Sequence, residues 1–159
     1  MANQALINVG TFDAQLALNT ALPASGATVT SGILDLSSAA PNSNGWRTGR
    51  IGIFFPALPE NTVAAGITVT LQAAGPSLTN SLPAPAAAVP GAFAAPAVSQ
   101  VATLAGVAGT GTPATVLWMT LPFDSTGSTY QFVQFVIAVT AGINTQGENL
   151  QIAWVKDSD

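Results

Sequence analysis

The sequence predicts an all-β protein built as an antiparallel β-sandwich, and three observations predict it. A two-residue hydrophobic period recurs in segment after segment, clusters of Gly, Pro, Asn and Ser separate those segments, and no stretch sustains a helical period. At 159 residues the chain fits one domain with a core large enough to stand without disulfides.

Residues 1–27 precede the first regular alternation. Leu6, Ile7, Val9, Phe12, Leu16, Leu18 and Leu22 are spaced by Asn, Gln, Thr and Ala with no clean period. So many large apolar side chains are more than a frayed terminus needs, so an extended N-terminal arm lying on its own or a neighbouring subunit is expected, with one helical turn at 12–16 as the other option. From Thr28 onward the period of two predicts strands at 28–36, 49–55, 66–73, 98–104, 114–121, 129–140 and 149–155. In Ile67-Thr68-Val69-Thr70-Leu71-Gln72 the alternation is strict, which turns Ile67, Val69 and Leu71 toward the core. In 129–140, Val133, Phe135, Ile137 and Val139 share one face and mixed residues the other, as in a central strand. Leu150, Ile152 and Trp154 repeat the pattern near the end.

The connections carry turn chemistry at 41–45, 124–128 and 144–147, and the glycine-rich 106–112 reads as a hairpin connection. A long loop is expected at 74–97, where five prolines stand among many alanines and favour stiff, polyproline-like backbone. Leu78, Leu82, Val89 and Phe93 would let that loop dock on a surface. The domain is therefore placed at 28–159, as a two-sheet jelly roll. An immunoglobulin-like sandwich is the rival, without its disulfide because the chain has no Cys.

Composition narrows the function. Charged residues make up 6% of the chain, against about a quarter in an ordinary domain, while hydrophobic residues make up 48%. Surface polarity must then come from Ser, Thr, Asn, Gln and Gly, groups that are cheap to bury once paired, and such a surface tolerates being covered by other protein. A net charge of −4 with only Arg47, Arg50 and Lys156 as cations argues against direct nucleic-acid contact. The charge-free stretch 61–123 is broken throughout by Pro, Gly, Thr and Ser, so no membrane span of about 20 apolar residues is expected. The first residues lack the pattern of a secretory signal, and maturation in the cytoplasm without export is expected.

The residues of catalysis are missing. Without His or Cys, the commonest general base, the commonest metal ligand and the strongest nucleophile are gone, and no enzyme activity or cofactor is expected. Lys156 lies in a charged tail, Asp124-Ser125-Thr126-Gly127 reads as a turn, and Gly106–Thr112 lacks the Lys-Ser/Thr of a phosphate loop. Asp13, Asp35, Glu60, Asp124 and Glu148 are scattered, and Asp157 with Asp159 reads as a solubilising tail, not a calcium site. Trp118 and Trp154 are assigned to the core, whereas Trp46, in a turn beside Arg47 and Arg50, is an interface anchor. The expected interface residues are Leu6, Ile7, Val9, Phe12, Trp46, Arg47, Arg50 and Phe93.

The order of features, an arm, Ile67-Thr68-Val69-Thr70-Leu71-Gln72 with a loop after it, Leu117 to Pro122, Tyr130-Gln131-Phe132-Val133 and a final strand, resembles the capsid cement (decoration) proteins of tailed bacteriophages. The resemblance spans 28–155 and is a pattern of strands. It implies a structural virion protein on the capsid exterior that binds the major capsid protein and reinforces an icosahedral shell, often as a trimer. The Pro/Ala-rich loop departs from that pattern. The residues also admit a carbohydrate- or receptor-binding β-sandwich, as in a fibre or adhesin, using Trp46, Tyr130 and loop Asn side chains.

Overall fold

The alternating segments become strands wherever one face can be buried. In the computed structural model, which describes residues 12–36, 49–60, 66–78, 91–96, 100–106, 109–120, 122, 129–145 and 147–156, nine strands form. They are β1 (Phe12–Ala21), β2 (Thr28–Thr30), β3 (Leu34–Asp35), β4 (Gly49–Phe55), β5 (Ile67–Leu78), β6 (Val101–Leu104), β7 (Thr115–Met119), β8 (Thr129–Val139) and β9 (Asn149–Lys156). The described residues contain no α-helix.

Two antiparallel sheets result. The first runs β1-β9-β4-β7; the second runs β2-β8-β5-β6, with β3 also paired to β8. The pairing is nested: β1 with β9, β2 and β3 with β8, β4 with β7, and β5 with β6. Two further ladders, β4 with β9 and β5 with β8, join the nested pairs side by side.

The strict alternation in β5 does what its period requires. Ile67, Val69 and Leu71 are fully buried, and Thr68, Thr70 and Gln72 stay half-buried on the other face. Val133, Phe135, Ile137 and Val139 of β8 do the same. Together with Ile51, Ile53 and Phe55 of β4 and Leu150, Ile152 and Trp154 of β9, they form one hydrophobic cluster between the sheets. Each fully buried side chain of this kind contributes about 1.5–3 kcal/mol, and this cluster is what holds the two sheets face to face.

Four expectations change. First, the sheets do not begin at Thr28, because residues 12–21 of the expected arm form β1, running antiparallel to β9 from Ala17↔Ala153 to Ala21↔Asn149. A register shift between Phe12 and Ala17 breaks the alternation there, which hides the strand from a period-of-two reading and also excludes the helical turn. Leu18 packs against the core and Leu22 is buried in it. Residues 1–11 lie outside the described residues.

Second, the single strand expected at 28–36 is interrupted. Ser31 N still donates to Phe135 O at 2.9 Å, but Phe135 N donates at 2.9 Å to Ser31 Oγ, which in turn donates to Gly32 O at 2.7 Å, so a side chain takes over half of the pairing between β2 and β3. Third, the long loop is shorter than 74–97. β5 continues to Leu78 across a register shift between Ala74 and Ser77, where Pro76 has no N–H to give the ladder. Ala94 then returns to pair with Ala73 through two backbone bonds of 2.8 and 3.0 Å. Residues 79–90 lie outside the described residues. Fourth, 106–112 is no hairpin, because β6 and β7 belong to different sheets; the segment crosses between them, with Gly109 at φ 76.

Candidate interaction surface

In the first sheet, register fixes which side chains face outward. Ile51, Ile53 and Phe55 point into the core, so Arg50, Gly52 and Phe54 of β4 take the outer face. Gly52 stands opposite Ala153 on one side and Trp118 on the other, and Phe54 stands opposite Gln151 and Val116. Phe54, Ala153 and Val155 form a second apolar cluster, with Ala17, Val116 and Trp118 packed on it.

The aromatic pair has a defined geometry. Phe54 and Trp118 meet edge to face, with ring centroids 6.2 Å apart and planes at 73°. The guanidinium carbon of Arg50 lies 4.4 Å from the centre of the Trp118 ring. Stacking of this kind contributes about 0.5–1 kcal/mol at an exposed site and holds a planar cation in one orientation. Gly52 makes the arrangement possible: a Cβ built there would meet Phe54 Cε2 at 2.8 Å, Phe54 Cζ at 2.9 Å and Trp118 Cζ3 at 3.0 Å. The two rings lie over the space that any other residue would fill.

The outer face of the second sheet is different in kind. Thr28, Ala138, Thr68 and Thr103 form one cross-strand row, and Thr30, Val136, Thr70 and Val101 form the next. Gln134 Nε2 donates to Gln72 Oε1 at 2.8 Å beside them. Neither row carries a charge, and Val101 is 52% exposed. Among the exposed described residues the charged ones are Arg50, Glu60 and Glu148.

Of the interface residues expected from sequence, Arg50 is exposed and sits on Trp118. Phe93 is half-buried and immediately precedes the Ala94 pairing with Ala73. The backbone of Phe12 stands opposite Val155, while its side chain, and all of Leu6, Ile7, Val9, Trp46 and Arg47, lie outside the described residues. Trp118 is not in the core as expected but half-buried on the outer face; Trp154 does lie in the core. Sequence reasoning missed Phe54, Gly52 and Trp118 as one group. The signal available was Gly52 itself, a glycine at an outward position between Ile51 and Ile53 in an otherwise regular strand.

Among the described residues, no three of His, Cys, Asp or Glu come together as metal ligands would. Asp35 Oδ1 accepts from Gln131 Nε2 at 3.2 Å, and Glu60 and Glu148 are exposed. No helix among the described residues is long and apolar enough to cross a membrane. No protein-family model matches the chain, and neither does any curated protein or solved structure.

Proposed function

We propose that this protein is a non-enzymatic structural component of a virion, attached to the outside of an icosahedral phage shell and reinforcing it, and that its two sheets are a jelly roll. The nested pairing supports the fold. With β2 and β3 counted as one interrupted strand, the sheet orders become first-eighth-third-sixth and second-seventh-fourth-fifth. That is the order produced when an antiparallel hairpin of four strand pairs is rolled on itself, an architecture that viral capsid domains use.

The observation that carries the functional reading is the nature of the outer faces. One presents uncharged Thr, Val and Ala rows, and the other an apolar cluster topped by a single stacked cation. Both can be covered by another protein with little charge to bury, Arg50 being the exposed charged residue on them, and burying more would be costly. The partners are the major capsid protein and further copies of this chain, with no direct role for nucleic acid.

The test is to add the purified chain to shells assembled from a major capsid protein encoded in the same genome. Saturable binding that changes little between low and high salt, with a higher temperature of shell rupture, is the expected result, since screening acts on charges and few are available. Absence of binding, or steep release by salt, would sink the reading.

A second reading, a carbohydrate-binding module, is favoured by Trp118 lying on an outer face, although Arg50 occupies one side of its ring. Reproducible glycan binding abolished by Trp118→Ala or Trp46→Ala would establish it in place of the first.

A further inference from the structure

The two sheets have four edges, and three are guarded. β6 is four residues long, β7 is five long and preceded by Pro113, and the β2 and β3 edge is interrupted at 31–33. Short length, proline and interruption all discourage a foreign strand from pairing. The fourth edge, β1, is ten residues long, with a register shift between Phe12 and Ala17 that leaves 17–21 as its regular part. Its segment Ala17-Leu18-Asn19-Thr20-Ala21 pairs with β9 at five consecutive positions and contains no proline and no charge. Among the described residues, no strand pairs with its other side.

The register also says which groups that side presents. Leu22 N donates to Glu148 O at 2.9 Å, continuing the ladder one step beyond Ala21↔Asn149. Bonded and non-bonded pairs alternate along an antiparallel ladder, so Leu18 and Thr20 bond β9, whereas Ala17, Asn19 and Ala21 direct their N–H and C=O groups away from it. Asn19 and Ala21 are exposed and Ala17 is half-buried, consistent with an open edge.

We infer that β1 is a self-association edge, where a second copy of this chain adds its own β1 antiparallel about a two-fold axis through Asn19. In that register Ala17 stands opposite the partner's Ala21 and Leu18 opposite the partner's Thr20, so one continuous eight-stranded sheet forms from two copies of the first sheet. Three pairs then exchange about six backbone bonds. The two Asn19 side chains face each other, and a carboxamide is its own complement because it both donates and accepts. The paired segments are uncharged, so two copies with a net charge of −4 each meet without opposing like charges. Asp13 would fall opposite Ser25, beyond Pro23 and outside the ladder. Two-fold pairing of identical surfaces closes after two copies, which separates it from the three-fold contact implied by the phage resemblance. The inference does not depend on the shell reading.

Sedimentation velocity of the full chain at tens of micromolar tests it. The wild type is expected at twice the monomer mass. Asn19→Pro removes an N–H that β9 does not use, and Asn19→Lys places like charges directly opposite each other; both should halve the mass while the thermal melt keeps its cooperativity. Should the proline variant fail to fold, the lysine variant decides, because it leaves the backbone unchanged. A wild-type monomer, a trimer, or a dimer whose mass survives Asn19→Lys would overturn the inference.

Discussion

Substituting Gly52 by alanine should destabilise the protein even though nothing in the backbone forbids it. The conformation at Gly52 is not left-handed, so alanine would ordinarily gain about 0.4–1 kcal/mol by restricting the unfolded chain. Against this, the new methyl would stand 2.8–3.0 Å from three ring carbons, where carbon pairs prefer about 3.5–4.0 Å. Phe54 is 6% exposed and held by Val155 and Ala153, so it cannot swing clear without disturbing that cluster. Overpacking of this kind costs about 1–3 kcal/mol, and displacing Trp118 also loosens the Arg50 stack, worth about 0.5–1 kcal/mol. The net expectation is a loss of about 1–3 kcal/mol, read as a lower midpoint in urea unfolding at unchanged slope, or as a drop in melting temperature of about 2–4 °C per kcal/mol. In a Phe54→Ala background the two nearest contacts vanish and Gly52→Ala should become neutral or stabilising, giving a coupling of at least about 1 kcal/mol. Equal effects in the two backgrounds, or a stabilised single variant, would refute the claim that Gly52 exists to seat the rings.

Three other predictions use the same measurements. Arg50→Ala should cost about 0.5–1 kcal/mol and shift tryptophan emission as the ring of Trp118 loses its cation, with Arg50→Lys retaining part of both. Ser31→Ala leaves the buried Phe135 N–H without its acceptor and should cost about 1–3 kcal/mol in a denaturant titration. Deleting residues 2–11 leaves all nine strands and should preserve a cooperative melt, whereas deleting residues 2–24 strips β9 of one of its two partners and removes Leu18 and Leu22; the buried Leu22 alone contributes about 1.5–3 kcal/mol and the half-buried Leu18 adds to it, a large share of the roughly 5–15 kcal/mol that holds a domain folded. A truncation at 24 that still melts cooperatively would show that β1 is dispensable.

How much of the fold can be read from the chain depends on whether a strand keeps its period. β4 has the bounds that its sequence implies, and β5, β8 and β9 start within one residue of theirs, because each carries large apolar residues at every second position and buries that face in the core. β1 escapes because its pairing slips between Phe12 and Ala17, and Asn and Thr sit at the edge positions where aliphatic residues would have marked a strand. β2 and β3 look continuous in sequence because the break depends on Ser31 meeting Phe135, a residue 104 positions away. The Pro/Ala stretch reads as loop from Ala74, yet Ala74 is buried and the strand persists past Pro76, since one missing N–H is tolerated at a bulge. The assignment of 106–112 to a hairpin fails for a different reason. Adjacency in sequence decides that two strands are connected, but only the burial of both sheets against one core decides whether they pair.

The outward faces were harder to read, because which residues meet there is set by register between strands far apart in the chain. Arg50 attracts notice as one of three cations, but its meaning depends on Trp118, brought beside it by the β4 and β7 ladder that opposes Gly52 to Trp118. Trp118 alone, in a strand, is indistinguishable from a core residue such as Trp154. What separates the two is parity: Trp154 stands opposite Ile51, an inward position, whereas Trp118 stands opposite Gly52, an outward one. Tryptophan and arginine are also the residue types that contribute most at protein interfaces, because they offer large rigid area at little cost in lost conformations. A chain with so little charge therefore places one of its few cations where a ring already fixes the guanidinium plane, so an arriving partner would not have to order that side chain on binding.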